Sequence, residues 1–174
     1  MTRTIFTFGL IGGLIIALGS LVVFQVNHAT HNTNPLTGYL VMLAGMSAVL
    51  VGVRQYRDKT LGGVIKFWPA LGLGLGIALV AGLLYVLNWE IYLAFTHYAF
   101  IDNYTATMLA EQKARLTPDA YAKAVDQAMA FKAMYANPLI RCGMTFMEIA
   151  PVVVIVPLIA AALLRNPKFL PARA

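Results

Sequence analysis

Four apolar runs, each long enough to cross a bilayer as a helix, decide what this chain can fold into. They cover about residues 5–26, 36–53, 67–89 and 142–164, and a hydrocarbon core of about 30 Å takes roughly 17–25 residues at about 1.5 Å each. Backbone N–H and C=O groups meet no water in such a core, so each run must satisfy them internally as a helix. The side-chain balance agrees: of 174 residues, 60% are hydrophobic and 11% charged, where soluble domains carry about 45–50% and about 25%. With 13 Lys and Arg and 7 Asp and Glu, the chain could not clothe a water-facing surface of its size. The net charge of +6 does not point to nucleic acid, because the basic residues lie beside apolar segments and not on one face.

The first run begins just after Arg3 and is followed by Asn27, His28, Ala29 and Thr30, with no small-x-small cleavage pattern, so it reads as a span and not as a signal peptide. Polar residues 27–34, closed by Pro35, read as a short loop. The second run is interrupted by Arg54, Gln55, Tyr56, Arg57, Asp58 and Lys59, and the basic cluster ends at Gly62 and Gly63. The third opens near Phe67, Trp68 and Pro69, where a proline ring fits the first turn, and its helix could extend to about residue 98.

Residues 101–136 have mixed composition and read as two short amphipathic helices divided near Leu116. Thr117, Pro118 and Asp119 supply an N-cap, a first-turn proline and a first-turn acid in that order. Tyr121, Ala124, Val125, Ala128, Phe131 and Tyr135 recur at spacings of three and four, with Asp119, Lys123 and Asp126 opposite. The stripe must lie on something. Nearly cancelling charges favour a cap over the ends of the spans, with the membrane surface as the alternative. The expected fold is all-α: a polytopic membrane four-helix bundle in one integral membrane domain, 1–174, with an extra-membrane amphipathic helical segment between the third and fourth spans.

Lys and Arg in short loops are retained on the cytoplasmic side. Arg3 precedes the first span, Arg54, Arg57, Lys59 and Lys66 lie between the second and third, and Arg165, Lys168 and Arg173 follow the fourth. The expectation is two cytoplasmic ends, with Lys113, Arg115, Lys123, Lys132 and Arg141 in the long segment constraining topology less. Small residues spaced by four, Gly9 and Gly13, Ala44, Ala48 and Gly52, and Gly72 and Gly76, predict close helix packing within the chain.

Chemistry is sparse. Glu148 lies about two turns inside the fourth run, where an acid must be protonated, paired or wetted, and Pro151 and Pro157 free the carbonyls of Met147 and Val153 near it. Glu148, with Glu90 on the same expected side, is the candidate intramembrane acid or ion site. The competing reading bonds Glu148 to neighbouring helices and leaves Glu90 solvated among the interfacial aromatics Trp89 and Tyr92. Arg54, Arg57 and Lys59 are candidate lipid head-group contacts, although topology alone accounts for them. His28, His31 and His97 lack the spacing of a zinc site, so no metal is assigned. The single cysteine, Cys142, reads as a small apolar packing residue. No phosphate loop, nucleophile elbow or nucleotide-binding turn is present, so no enzyme class and no cofactor is expected.

The segments Gly38-Tyr39-Leu40-x-Met42, Val51-Gly52-Val53-x-Gln55-Tyr56-Arg57-Asp58, Gly62-Gly63-x-Ile65-x-Phe67, Tyr85-Val86-x-x-Trp89-Glu90-x-Tyr92, Tyr135-x-Asn137-Pro138 and Thr145-Phe146-x-Glu148-Ile149-x-Pro151 carry a resemblance. In order and spacing the chain resembles a bacterial membrane family catalogued as a domain of unknown function, number forty-one ninety-nine, from about Gly38 to Leu164. The resemblance implies a four-span bacterial membrane protein of the same layout and carries no catalytic assignment; the expected location is the bacterial inner membrane. It marks Gln55, Tyr56, Arg57, Asp58, Glu90 and Glu148 as family features. The function expected from the sequence is a non-enzymatic accessory or scaffold component with the lipid bilayer, and a membrane-protein partner or further copies of itself, around it. The alternative is a small proton- or cation-coupled permease or channel that uses an intramembrane glutamate.

Overall fold

The computed structural model describes residues 1–30 and 35–171. Among these residues there are six helices and no strand: α1 (Thr2–Thr30), α2 (Pro35–Thr60), α3 (Phe67–Phe95), α4 (Ala99–Lys113), α5 (Pro118–Tyr135) and α6 (Pro138–Leu164). Stretches of four of them, Thr2–Val26, Leu36–Thr60, Phe67–Phe95 and Pro138–Leu164, are long and apolar enough to cross a membrane. Their outward faces suit lipid. Leu10, Leu14, Leu18 and Val22 make an exposed row on α1, and Leu79, Leu83, Leu87 and Ile91 another on α3. Rows of exposed leucine of this length would aggregate in water.

Helix ends differ from the ends of the apolar runs for identifiable reasons. Nothing between Asn27 and Thr30 breaks a helix, so α1 continues through the first half of the expected loop; residues 31–34 of that loop lie outside the described residues. The second helix continues past Val53 because its charges support it: Arg54 pairs with Asp58 one turn on, at 3.4 Å, and Arg57 and Lys59 sit in the last turn, where cations suit the helix dipole. It closes when Gly62 and Gly63 adopt φ of 67° and 94°, and the N–H of Gly63 reaches back to the carbonyl of Arg57 at 2.9 Å. The sixth helix starts at Pro138, before the apolar run at 142. Asn137 caps it, its Oδ1 accepting from the N–H of Leu139 at 3.0 Å, and Pro138 stands where no N–H is needed.

Contacts gather into two compact units, Met1–Tyr85 with Phe146–Ala174, and Val86–Thr145. The interior of the first is aliphatic: Ile16, Met46, Val49, Leu73, Ile77, Ala81, Ile149, Ala161 and Leu164 are buried there. Lipid gives helices no hydrophobic reason to associate, so contact quality must hold them. The backbones of α1 and α2 come close together. A Cβ added to Gly12 would stand 2.7 Å from the carbonyl oxygen of Gly45, and one added to Gly45 would stand 2.6 Å from that of Gly12. The small-residue spacing therefore marks the right kind of device at partly different positions. Ala44 and Gly72 from the predicted stripes face outward, and nothing lies within 4 Å of a Cβ at Gly72. Both Pro151 and Pro157 stay inside α6, and the ring of Pro157 is buried against Gly74.

The second unit is aromatic. Leu93, Ile101 and Tyr135 are buried, with Trp89, Tyr92, Phe100, Phe131 and Met144 packed on them. The division into two short helices holds, with the break at 114–117. Thr117 is extended ahead of Pro118, as an N-cap should be, but its hydroxyl makes no capping bond. The predicted stripe of α5 is the buried face: Ala128 and Tyr135 are buried, Tyr121, Ala124, Val125 and Phe131 half-buried, and Asp119, Lys123 and Asp126 exposed.

Candidate functional site

Arg141 stands in the first turns of α6, beside N–H groups that give that end of a helix partial positive charge. A cation is disfavoured there unless an acid compensates it. Glu90, on α3, does so: Nε of Arg141 donates to its Oε1 at 2.7 Å and Nη2 to its Oε2 at 2.5 Å, the fork-on-fork geometry of the strongest ion pairs. Nη1 donates to the carbonyl oxygen of Tyr135 at 3.2 Å. The rings of Tyr98 and Tyr135 lie 5.0 and 5.8 Å from the guanidinium carbon, within reach of a cation–π attraction. Tyr135 is itself fixed, since its hydroxyl accepts from the indole N–H of Trp89 at 2.8 Å, and Trp89 packs edge-on against Phe100 at 4.8 Å. The Arg141 side chain is 5% exposed and that of Glu90 22%.

Tyr98 arrives through an unusual corner. The third helix does not extend to 98; it ends at Phe95, and His97 and Tyr98 take φ of 51° and 58°, a left-handed conformation that costs non-glycine residues energy. Tyr98 N–H bonds to the carbonyl of Leu93 at 2.8 Å and Ala99 N–H to that of Thr96 at 3.0 Å, so α4 leaves in a new direction with its backbone satisfied. In the hollow of this corner is a cavity of about 360 Å³. Leu93, Ile101, Ala136 and Pro138 give it apolar wall, and His97, Tyr98, Asp102, Lys132, Tyr135 and Arg141 give it polar wall. Lys132 and Asp102 form an ion pair at 2.5 Å, with side chains 54% and 56% exposed.

Among the sequence-derived candidates, Glu90 is a member of this site, engaged by Arg141. Glu148 belongs to the first unit, where it is exposed on the flank of α6 and its Oε2 accepts from the hydroxyl of Tyr85 at 3.1 Å. The two acids thus have separate partners. Of the three candidate head-group contacts, Lys59 is exposed and Arg54 half-buried, its Nη2 3.4 Å from the carbonyl oxygen of Pro171. Arg57 has no exposed surface. Its Nε donates to Asp58 at 2.7 Å, and Nη1 and Nη2 donate to the carbonyl oxygens of Phe169 and Leu170 at 2.9 and 2.5 Å, so its donors serve the chain that follows α6 and not a lipid surface. Of the three histidines, His97 lines the cavity and His31 lies outside the described residues. Among the described residues no three His, Cys, Asp or Glu side chains converge as metal ligands do. Cys142 is half-buried.

Sequence reasoning passed over Arg141, Tyr98 and Tyr135. One signal was there: an arginine four residues after Asn137 lies in the first turn of a helix, where it needs an acid. The left-handed corner at His97 and Tyr98 had little signal, because a lone histidine favours that conformation only weakly and tyrosine does not.

The fold and this site define an all-helical membrane protein with four helices of spanning length and an aromatic unit organised around a buried ion pair. The family described as "Protein of unknown function (DUF4199)" matches residues 7–166, and the chain belongs to it. That match takes in most of α1 as well as the segments from Gly38 onward. No curated protein and no solved structure matches the chain.

Proposed function

We propose that this protein is a non-enzymatic component of a membrane assembly, an accessory subunit or small scaffold, in a bacterial inner membrane with both chain ends cytoplasmic. The observation that carries this reading is the aliphatic interior of the first unit. Its buried polar side chains among the described residues are Ser20 and Arg57. The Ser20 hydroxyl is turned onto the carbonyls of its own helix, Ile16 at 2.7 Å and Ala17 at 3.1 Å, and Arg57 is filled by Asp58 and two backbone carbonyls. An ion or proton crossing such a unit would meet aliphatic side chains along its way, and an uncompensated charge in that surrounding costs several kcal/mol or more. Both acids that a permease would use are also bonded within the chain, Glu90 to Arg141 and Glu148 to Tyr85. Orientation rests on the short loops, where Lys and Arg gather on one side.

A permease reading keeps one observation in its favour. Glu148 is exposed on the flank of α6, so a second copy could supply the other wall of a path there. Two experiments separate the readings. Crosslinking and purification from native membranes should yield a stoichiometric partner, and liposomes carrying the purified protein should pass protons and alkali cations no faster than empty ones. A pH-dependent flux that Glu148→Gln abolishes in a folded protein overturns the accessory reading.

A further inference from the structure

The cavity at the corner of α3 and α4 brings together a fixed cation, a replaceable cation, aromatic faces and apolar wall. At about 360 Å³ it is at the small end of the range of about 300–1,000 Å³ used for small molecules. Arg141 is the fixed element. A guanidinium carries five N–H donors; Glu90 takes two and the Tyr135 carbonyl one, which leaves two on a group that forms part of the cavity wall. Its position needs no ligand to set it, because the acid, the carbonyl and two tyrosine rings already hold it.

Lys132 is the replaceable element. Its ion pair with Asp102 is more than half exposed on both sides, and exposed pairs contribute about 0–1 kcal/mol, so an incoming anion can take the ammonium from Asp102 at little cost. His97 adds a ring that can donate to the same anion. Leu93, Ile101 and Pro138 offer nothing to a charged group and suit an alkyl or similar body. His97 and Tyr98 hold left-handed backbone at the corner, and strained residues of this kind gather at ligand clamps.

We propose that this cavity binds a small amphiphilic oxyanion, a carboxylate or phosphate ester joined to a short apolar body, with the oxyanion between Arg141 and Lys132. This does not depend on the accessory reading, since all of the wall belongs to the second unit. The same chemistry occurs in free metabolites and in the head groups of acidic lipids.

Octanoate serves as the probe. The chain has two tryptophans, Trp68 and Trp89; in a Trp68→Phe variant in neutral detergent, Trp89 alone reports, one hydrogen bond away from Tyr135. Octanoate should change its emission saturably, and octanol should not. Lys132→Gln should weaken octanoate about fivefold, the change that a surface ion pair of about 1 kcal/mol allows, and Asp102→Asn, which frees Lys132, should tighten it about twofold. Lys123→Gln, an exposed lysine off the cavity wall, should leave it unchanged. Repetition in lipid nanodiscs assigns the source: competition by phosphatidylglycerol means a lipid head group, and equal affinity in phosphatidylcholine alone and with phosphatidylglycerol means a soluble molecule. Equal response to octanol, no saturation, or the same loss from Lys123→Gln as from Lys132→Gln overturns the proposal.

Discussion

Replacing Glu90 by alanine takes both acceptors from a guanidinium whose side chain is 5% exposed. Two charge-assisted bonds, at 2.7 and 2.5 Å, disappear, and the charge they balanced stays inside the second unit next to a helix N-terminus that also repels it. Breaking one side of a buried pair costs about 3–5 kcal/mol. Since Glu90 is 22% exposed and water can partly replace it, the lower end applies, about 3 kcal/mol. Glu90→Gln keeps one acceptor oxygen and loses the charge, so about half of that loss is expected. The informative variant is the double one. Glu90→Leu with Arg141→Met removes the stranded charge and fills the space with apolar atoms, and it should recover most of the stability lost by Glu90→Leu alone. Unfolding followed by Trp89 emission in the Trp68→Phe background measures all four corners of the cycle in the second unit itself. If the double variant is destabilised by the sum of the single effects, the pair has no coupling and the argument that Arg141 is held by Glu90 is refuted.

Further variants test packing and the tail. Gly45→Leu should drive α1 from α2, because its Cβ alone would meet the Gly12 carbonyl oxygen at 2.6 Å; overpacking of this kind costs about 1–3 kcal/mol, whereas Gly72→Leu should change stability by about 0.5 kcal/mol or less in the same detergent unfolding assay. Arg57→Ala should release the chain after α6: in a Cys142→Ala background, Phe169→Cys should react with a maleimide at least tenfold faster when Arg57 is alanine than when it is arginine, well within the change that losing two bonds to a charged donor allows. Equal rates would mean that the chain after α6 is held in place without the bonds from Arg57.

Periodicity and length made the spans legible, and the stripe on α5 was legible residue by residue, because burying an apolar row is the one way to satisfy it. What the sequence hid was of two kinds. Helix ends ran past the apolar runs wherever charged or polar residues could serve the helix, as Arg54 and Asp58 do in α2 and Asn137 does before α6. The candidate site stayed hidden because its parts come from residues 45 or more apart, Trp89 and Glu90 on one side and Tyr135 and Arg141 on the other. A corner made by left-handed histidine and tyrosine brings Tyr98 to them, and no local pattern announces it. Glu148 attracted notice as an acid in an apolar run, yet Arg57, a more fully enclosed charge, looked like an ordinary topology signal because two of its three partners are distant backbone carbonyls that carry no residue identity.

The bonds from Arg57 to Phe169 and Leu170 join residues 112 and 113 positions apart. At about 5–20 residues per second, a ribosome delivers those carbonyls on the order of 10 s after Arg57 itself. Throughout that interval α2 carries a guanidinium two of whose partners do not yet exist, and water or lipid phosphate must stand in for them. The contact therefore forms late: a chain halted anywhere between α2 and residue 169 leaves the guanidinium at the end of α2 with Asp58 as its partner and without the two carbonyls that enclose it.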